Sequence, residues 1–245
     1  MNMRQKLIEA IASDDTGAIR DLLASGVDPA AESQLGAGDS AVHAAGNQGK
    51  LECLELLVDA WQRAEPEALA ECDILWHVLF CGQVAAGRWL ADRGAPAPFA
   101  MCVALGRVEE AQRELDEKGR LRSDDGSWMS DDEQRRTFNC AFLYSAICGT
   151  VRGMEFVAAG IDGVDMQPPG SDFGGVAATA MHWAAAHDRA SAVEWLLDRG
   201  ADPTIRDDAW NATAVGWALH GGHRSVLEVF RRHADRLDRA DRESL

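Results

Sequence analysis

The side chains able to do chemistry in this chain are seven histidines, six cysteines, eight tryptophans and a single tyrosine. His220 and His223 form a His-Gly-Gly-His run, but two imidazoles do not make a zinc site without two further ligands. No metal site is expected. The cysteines (Cys53, Cys72, Cys81, Cys102, Cys140 and Cys148) form no Cys-x-x-Cys pair, and most lie in apolar helical patterns. They read as reduced, buried thiols rather than disulfides or a zinc knuckle. Asp124-Asp125-Gly126 and Asp131-Asp132-Glu133 flank Trp128 but do not supply the ligand series of a calcium loop. They form either a solvated acidic loop or a charged arm presenting Trp128 to a basic partner. Gly170–Gly175 is glycine-rich but has no lysine, and no nucleotide, hydrolase or metalloprotease motif occurs. Neither catalytic residues nor a cofactor are expected.

The 245 residues carry 24 basic against 40 acidic side chains, a net charge of −16. Such a chain repels phosphate backbones, which excludes nucleic-acid binding as the main task, and it disfavours anionic membranes. The long uncharged stretches, Ile74–Gly87 and Thr137–Val151, are too short to cross a bilayer, which takes ~20 residues. The first ten residues lack the apolar core of a signal peptide. A cytoplasmic, monomeric protein is the expectation.

Stepping from these residues to what must hold them, one frame recurs. Turn residues at Asp14, Gly49, Gly82, Gly106, Gly149, Asp188 and Gly222 are spaced by 35, 33, 24, 43, 39 and 34 residues. Four positions before each turn stand Ala10, Ala45, Val78, Cys102, Ser145, Ala184 and Ala218, all compact, as close helix stacking requires. Eight positions after stand Leu22, Leu57, Leu90, Glu114, Val157, Leu196 and Phe230, apolar except Glu114, beside which Leu115 could serve. Ile19 with Leu22 and Leu23, and Val193 with Leu196 and Leu197, give one apolar stripe per helix. A single helix pair cannot bury that stripe, so pairs must stack. Gly26, Gly94 and Gly200 follow helix-like runs and stand where a left-handed backbone is needed.

Ser40-Ala-Val-His43, Thr179-Ala-Met-His182 and, less closely, Thr213-Ala-Val-Gly216 give this chain its resemblance to the ankyrin repeat family. The family opening is Thr-Pro-Leu-His; here Ala41, Ala180 and Ala214 replace the proline and Gly216 the last histidine. The stretch Asp208–Gly221 is most similar to ankyrin proteins of bacteria. The resemblance implies an all-α solenoid of about seven stacked helix-turn-helix units in one domain over 1–245, with irregular central repeats. Insertions fall near 119–131 and 166–176, and a polar tail at 235–245 caps the stack and then frays. Ser130-Asp-Asp-Glu133 reads as a capping box opening a helix that runs to Cys148. His43 and His182 are then structural, each bonding to the hydroxyl three residues before it.

Five positions before each turn the column reads Glu9, Ala44, His77, Met101, Tyr144, Trp183 and Trp217. The resemblance places it on the concave face. Three consecutive aromatics there, Tyr144, Trp183 and Trp217, suggest a binding surface, with His187, His220, His77, Met101 and Trp128 as further contacts. The competing reading has the insertions fold over this face and turn the aromatics into core. The expected function is non-enzymatic: a module that binds a protein, with a basic surface, through an aromatic, acid-rimmed face. An inhibitor or immunity protein for a basic toxin or enzyme is its narrower form. The alternative is a small-molecule binder or enzyme whose pocket uses Tyr144, His187 and His220 beside the tryptophans.

Overall fold

The structure, a computed structural model, describes residues 3–30, 40–123, 125–170 and 173–245. Among these residues the fold is helical, with two isolated β-bridges, Arg122 with Trp128 and Arg206 with Thr213. Contacts group the chain into two compact units, Met1–Ala97 and Pro98–Leu245. The sequence reading sets 1–245 as one domain; the division falls in Gly94-Ala-Pro-Ala-Pro98, where the short 24-residue spacing leaves two prolines and no hairpin.

The first unit holds three helix pairs: α1 (Met3–Ala12) with α2 (Thr16–Ala24), α3 (Ala41–Asn47) with α4 (Leu51–Ala64), and α5 (Ile74–Phe80) with α6 (Val84–Asp92). Within it α3 packs between α1 and α5, and α4 between α2 and α6. The second unit holds four: α7 (Phe99–Ala104) with α8 (Val108–Glu114), α9 (Asp131–Cys148) with α10 (Val151–Val157), α11 (Ala180–Ala186) with α12 (Ala190–Asp198), and α13 (Ala214–Gly221) with α14 (Arg224–Arg232). There the first helices follow one another, α7 on α9, α9 on α11 and α11 on α13, and α10, α12 and α14 form the second layer. Both units are thus all-α stacks of helix pairs, as the repeat frame requires.

One local device closes every pair. All seven turn residues have φ between 55° and 77°, glycine at five of them and aspartate at Asp14 and Asp188. In each case the N–H following the turn donates to the carbonyl of the compact residue four positions before it, at 2.8–3.0 Å, as in Thr150 to Ser145. This is the Schellman closure, which satisfies a carbonyl left over at the helix end. The compact column itself is buried at every position. The second unit adds a bond between pairs. Thr150 Oγ1, Arg189 Nε and His223 Nε2 each donate to a first-helix carbonyl of the preceding pair, Ala104, Ile147 and Ala186, at 2.7–2.8 Å. Close approach shows at Gly153 of α10, where a Cβ would lie 2.3 Å from the Val103 carbonyl oxygen.

The core follows the apolar stripe: Leu57, Leu90, Val157, Leu196 and Phe230 are buried, whereas Glu114 is exposed. Ser130 and Glu133 form the expected capping box and open α9. The tail departs from expectation. Instead of fraying it forms a 3-10 turn (Ala234–Arg236) and α15 (Arg239–Ser244). Arg236 donates to the Ala201 carbonyl at 2.7 Å, Arg206 bonds Asp238 at 2.8 Å and Arg231 reaches the Leu245 carbonyl. The alternating Asp and Arg residues, read from sequence as merely polar, find partners only in the folded chain. All six cysteines are free thiols, and burial pushes Cys102 up to about 11 and Cys140 up to about 12.

Candidate binding site

The second unit gathers its large aromatics into one continuous run. Tyr144 of α9 meets Phe173 edge-on at 5.3 Å between ring centroids, Phe173 meets Trp183 of α11 at 5.4 Å, Trp183 meets Trp217 of α13 at 5.3 Å, and Trp217 meets Trp210 at 5.6 Å. T-shaped pairs of this kind set the electropositive edge of one ring against the electron-rich face of the next. The column read from sequence therefore does line up through Tyr144, Trp183 and Trp217.

Its exposure changes along its length. Phe173, from the glycine-rich second insertion, sits between Tyr144 and Trp183, and all three are 6–7 % exposed. Over these two rings the competing reading describes the structure: an insertion has converted a surface into core. Ser171 and Asp172 of that loop lie outside the described residues. Trp217 is half-buried, and Trp210, which the sequence reading did not single out, is 68 % exposed. Leu219 is also exposed.

Trp210 is held by the loop between the paired residues Arg206 and Thr213. Asp207, 3 % exposed, organises it. Its Oδ1 accepts the N–H groups of Ala209 and Trp210 at 2.9 and 2.6 Å; its Oδ2 accepts those of Ala212 and the Trp217 indole at 3.1 and 2.9 Å. Burial alone would raise this carboxyl, but the donors outweigh it and hold it below the usual aspartate range. Asn211 supplies the left-handed step with φ 51°. Thr213 then caps α13 by accepting from Gly216 N–H, and donates to Asp241 of α15 at 3.0 Å.

The histidines divide by environment. His182 Nδ1 accepts the Thr179 N–H, so Nε2 carries the proton and donates to the Ala212 carbonyl at 3.1 Å. Burial holds its pKa down, and its role is structural, as expected. His187 ends α11; burial first, then the Arg189 and His223 charges, push it down to about 4, so it is neutral at pH 7. His220 is exposed on the last turn of α13, three residues from Trp217 and so on the same helical face. Met101 is fully buried in α7 and presents no surface. His77 lies in the first unit, beside Asp73 and His43. Trp128 is 39 % exposed, but Arg120 and Arg122 lie over its ring at 4.2 and 3.8 Å from the centroid. The acidic arm thus holds its tryptophan through the chain's own cations, a contact invisible in the Asp-rich sequence around it; Asp124 lies outside the described residues.

No helix among the described residues is long and apolar enough to cross a membrane. A family model described as ankyrin repeats (many copies) matches residues 181–231, which run from α11 through α14 and include Trp183, Trp210 and Trp217. Residues 181–231 are thus similar to ankyrin repeats, and helix pairs closed seven times by the same left-handed turn agree with a solenoid of such repeats.

Proposed function

We propose that the second unit binds a protein partner through Trp210, with Trp217, Leu219 and His220 beside it. Ankyrin repeats generally mediate protein–protein interaction, which sets the class of function. The observation that carries the site is Trp210: a large aromatic, 68 % exposed, on a loop already fixed by four hydrogen bonds to Asp207. A preorganised indole gives up little entropy on docking, and tryptophan is the commonest kind of interface anchor. Tyr144 and Trp183 support this edge from beneath, through Phe173 and Trp217, rather than touching the partner.

The net charge of −16 favours a partner with a basic surface, drawn in by long-range attraction. An inhibitor or immunity protein for a basic toxin or enzyme is the narrower form of the same reading, acting as a cytoplasmic monomer. The pocket alternative is not adopted, because Tyr144 is covered by Phe173 while His220 is open to solvent.

The test uses a partner captured by the immobilised chain and then purified. Trp210→Ala is expected to weaken binding by more than about 2 kcal/mol and to leave thermal stability unchanged. Association should slow steeply as salt is added. Unchanged affinity in the variant overturns the site; a salt-independent rate overturns the basic partner.

A further inference from the structure

Within the first unit, three metal-ligating side chains converge from two neighbouring helix pairs. His43 of α3, Cys72 and Asp73 each offer a ligand atom, and these three atoms lie within 4.8 Å of one another. His43 Nε2 is 3.6 Å from Asp73 Oδ1. On the other side of that carboxylate, His77 Nε2 of α5 is 3.3 Å from Asp73 Oδ2, and the two imidazoles meet edge-on at 5.4 Å. Ligands that share a tetrahedral zinc ion at ~2.0–2.3 Å stand about 3.3–3.8 Å apart, so the His43–Asp73 separation already matches a shared ion, while His77 holds the other oxygen of the same carboxylate.

The orientation of His43 supports the same conclusion. Its Nδ1 is 2.8 Å from Ser40 Oγ, which also accepts the His43 main-chain N–H at 3.3 Å. With Nδ1 held by Ser40, Nε2 is the ring nitrogen turned to Asp73. Metal-bound imidazoles are held in this way by a partner on the opposite nitrogen. The equivalent histidine of the second unit makes a useful comparison. His182 Nε2 meets a main-chain carbonyl thirty residues on, at Ala212, and needs its proton there. Twenty-nine and thirty residues on from His43 stand Cys72 and Asp73, a thiol and a carboxylate.

We propose that His43, Cys72 and Asp73 form a binding site for a divalent d-block cation, with His77 orienting the Asp73 carboxylate from its other oxygen, and that Zn2+ is the ion these donors fit best. One thiolate, one imidazole and one carboxylate make the mixed soft and borderline set that zinc accepts in tetrahedral sites, a water taking the fourth position, whereas magnesium and calcium call for oxygen alone. On binding, the Cys72 thiol releases its proton to solvent as the sulfur–zinc bond forms. Asp73 and His77 are open to solvent, which gives the ion a way in. The bound ion ties α3 to the start of α5 and so cross-links the second and third helix pairs of this unit. Sequence spacing hides the site, because its donors are spread over 43 and 72–73 and share no short motif.

The test is a titration of the whole chain, stripped of metal by a chelator and kept reduced. Co2+ serves as the spectroscopic stand-in and Zn2+ as the competitor. One equivalent of Co2+ should produce the intense visible bands of a tetrahedral ion and a near-ultraviolet thiolate-to-cobalt band, both abolished by one equivalent of Zn2+. Cys72→Ser should remove the thiolate band and weaken Zn2+ binding more than about 100-fold; His77→Gln should weaken it more than about 10-fold. Both variants leave the Ser40–His43 contact in place, so they keep the test sound if His43→Gln fails to fold. Zn2+ should raise the melting temperature of the wild type and not of Cys72→Ser. Glu194→Gln, in a separate Glu194/Asp198/His233 cluster, should change nothing. A weak octahedral cobalt spectrum, a thiolate band that survives Cys72→Ser, unchanged affinity in His77→Gln, or loss of binding in Glu194→Gln would each overturn the proposal. The first of these leaves Asp73 as a simple hydrogen-bond acceptor between two histidines.

Discussion

The indole N–H of Trp217 donates to Asp207 Oδ2 at 2.9 Å, and this bond joins the half-buried end of the aromatic run to the loop that carries its exposed end. Asp207→Ala leaves that N–H and three main-chain donors without their acceptor. The expected cost is about 2–3 kcal/mol in urea unfolding. The contribution also depends on pH. The folded carboxyl titrates below the unfolded value of 3.8, so the stabilisation is complete above that value and is lost as pH falls through it towards the lower folded value. Asp207→Asn, which keeps one acceptor oxygen, should lie between Ala and wild type. If Asp207→Ala melts with the wild type at pH 7, the loop does not depend on this carboxylate.

Phe173→Ala removes the ring that covers Tyr144 and Trp183. Truncating a buried phenylalanine costs about 3 kcal/mol or more. Acrylamide should then quench tryptophan fluorescence more strongly than in the wild type, because Trp183 becomes accessible. Unchanged quenching would show that something other than Phe173 shields it.

His187 is pushed down to about 4 by burial, with smaller effects from Arg189 and His223. The unfolded chain takes up this proton near pH 6.5 and the folded chain only near 4, so the unfolded state binds more protons between those values. Stability therefore falls as pH drops through that window, by on the order of 2 kcal/mol. His187→Gln should flatten the dependence, and NMR titration of the ring should show no protonation above pH 5. A midpoint near 6.5 in the folded chain would refute the assignment.

Asp241 accepts from Thr213 through Oδ1, while Oδ2 is buried without a hydrogen bond and burial raises the carboxyl pKa. Here the sign is reversed: the folded state holds the proton more tightly, so this group contributes less stability as pH rises from 3.8 through its raised value. Asp241→Asn keeps an acceptor for Thr213 and removes the charge. Its melting temperature at pH 7 should equal or exceed the wild type's, by up to about 1 kcal/mol, and the advantage should vanish in acid. A clear loss of stability at pH 7 would show that the charge, through Arg206, holds α15 in place.

The turns are legible in the sequence, because each depends on a few adjacent residues. Glycine, or aspartate at Asp14 and Asp188, marks the left-handed step, and the compact residue four before it supplies the carbonyl that closes the helix. The same locality made the Ser130–Glu133 box and the His182 contact to Thr179 readable. Which aromatics are surface and which are core depends on the folded chain. Phe173, a lone aromatic among glycines, gave no periodic signal, yet it buries Tyr144 and Trp183 from twenty-nine and ten residues away. Trp210 falls outside every repeat column, and its prominence depends on a carboxylate three residues earlier that a charge count treats like any other. The meeting of His43 with Cys72, Asp73 and His77 is decided in the same way, by the stacking of one helix pair on the next. Local backbone geometry is set by neighbours in the chain and can be read there. Burial and convergence are set by neighbours in space, which the repeat frame brings near without fixing where an inserted side chain comes to rest.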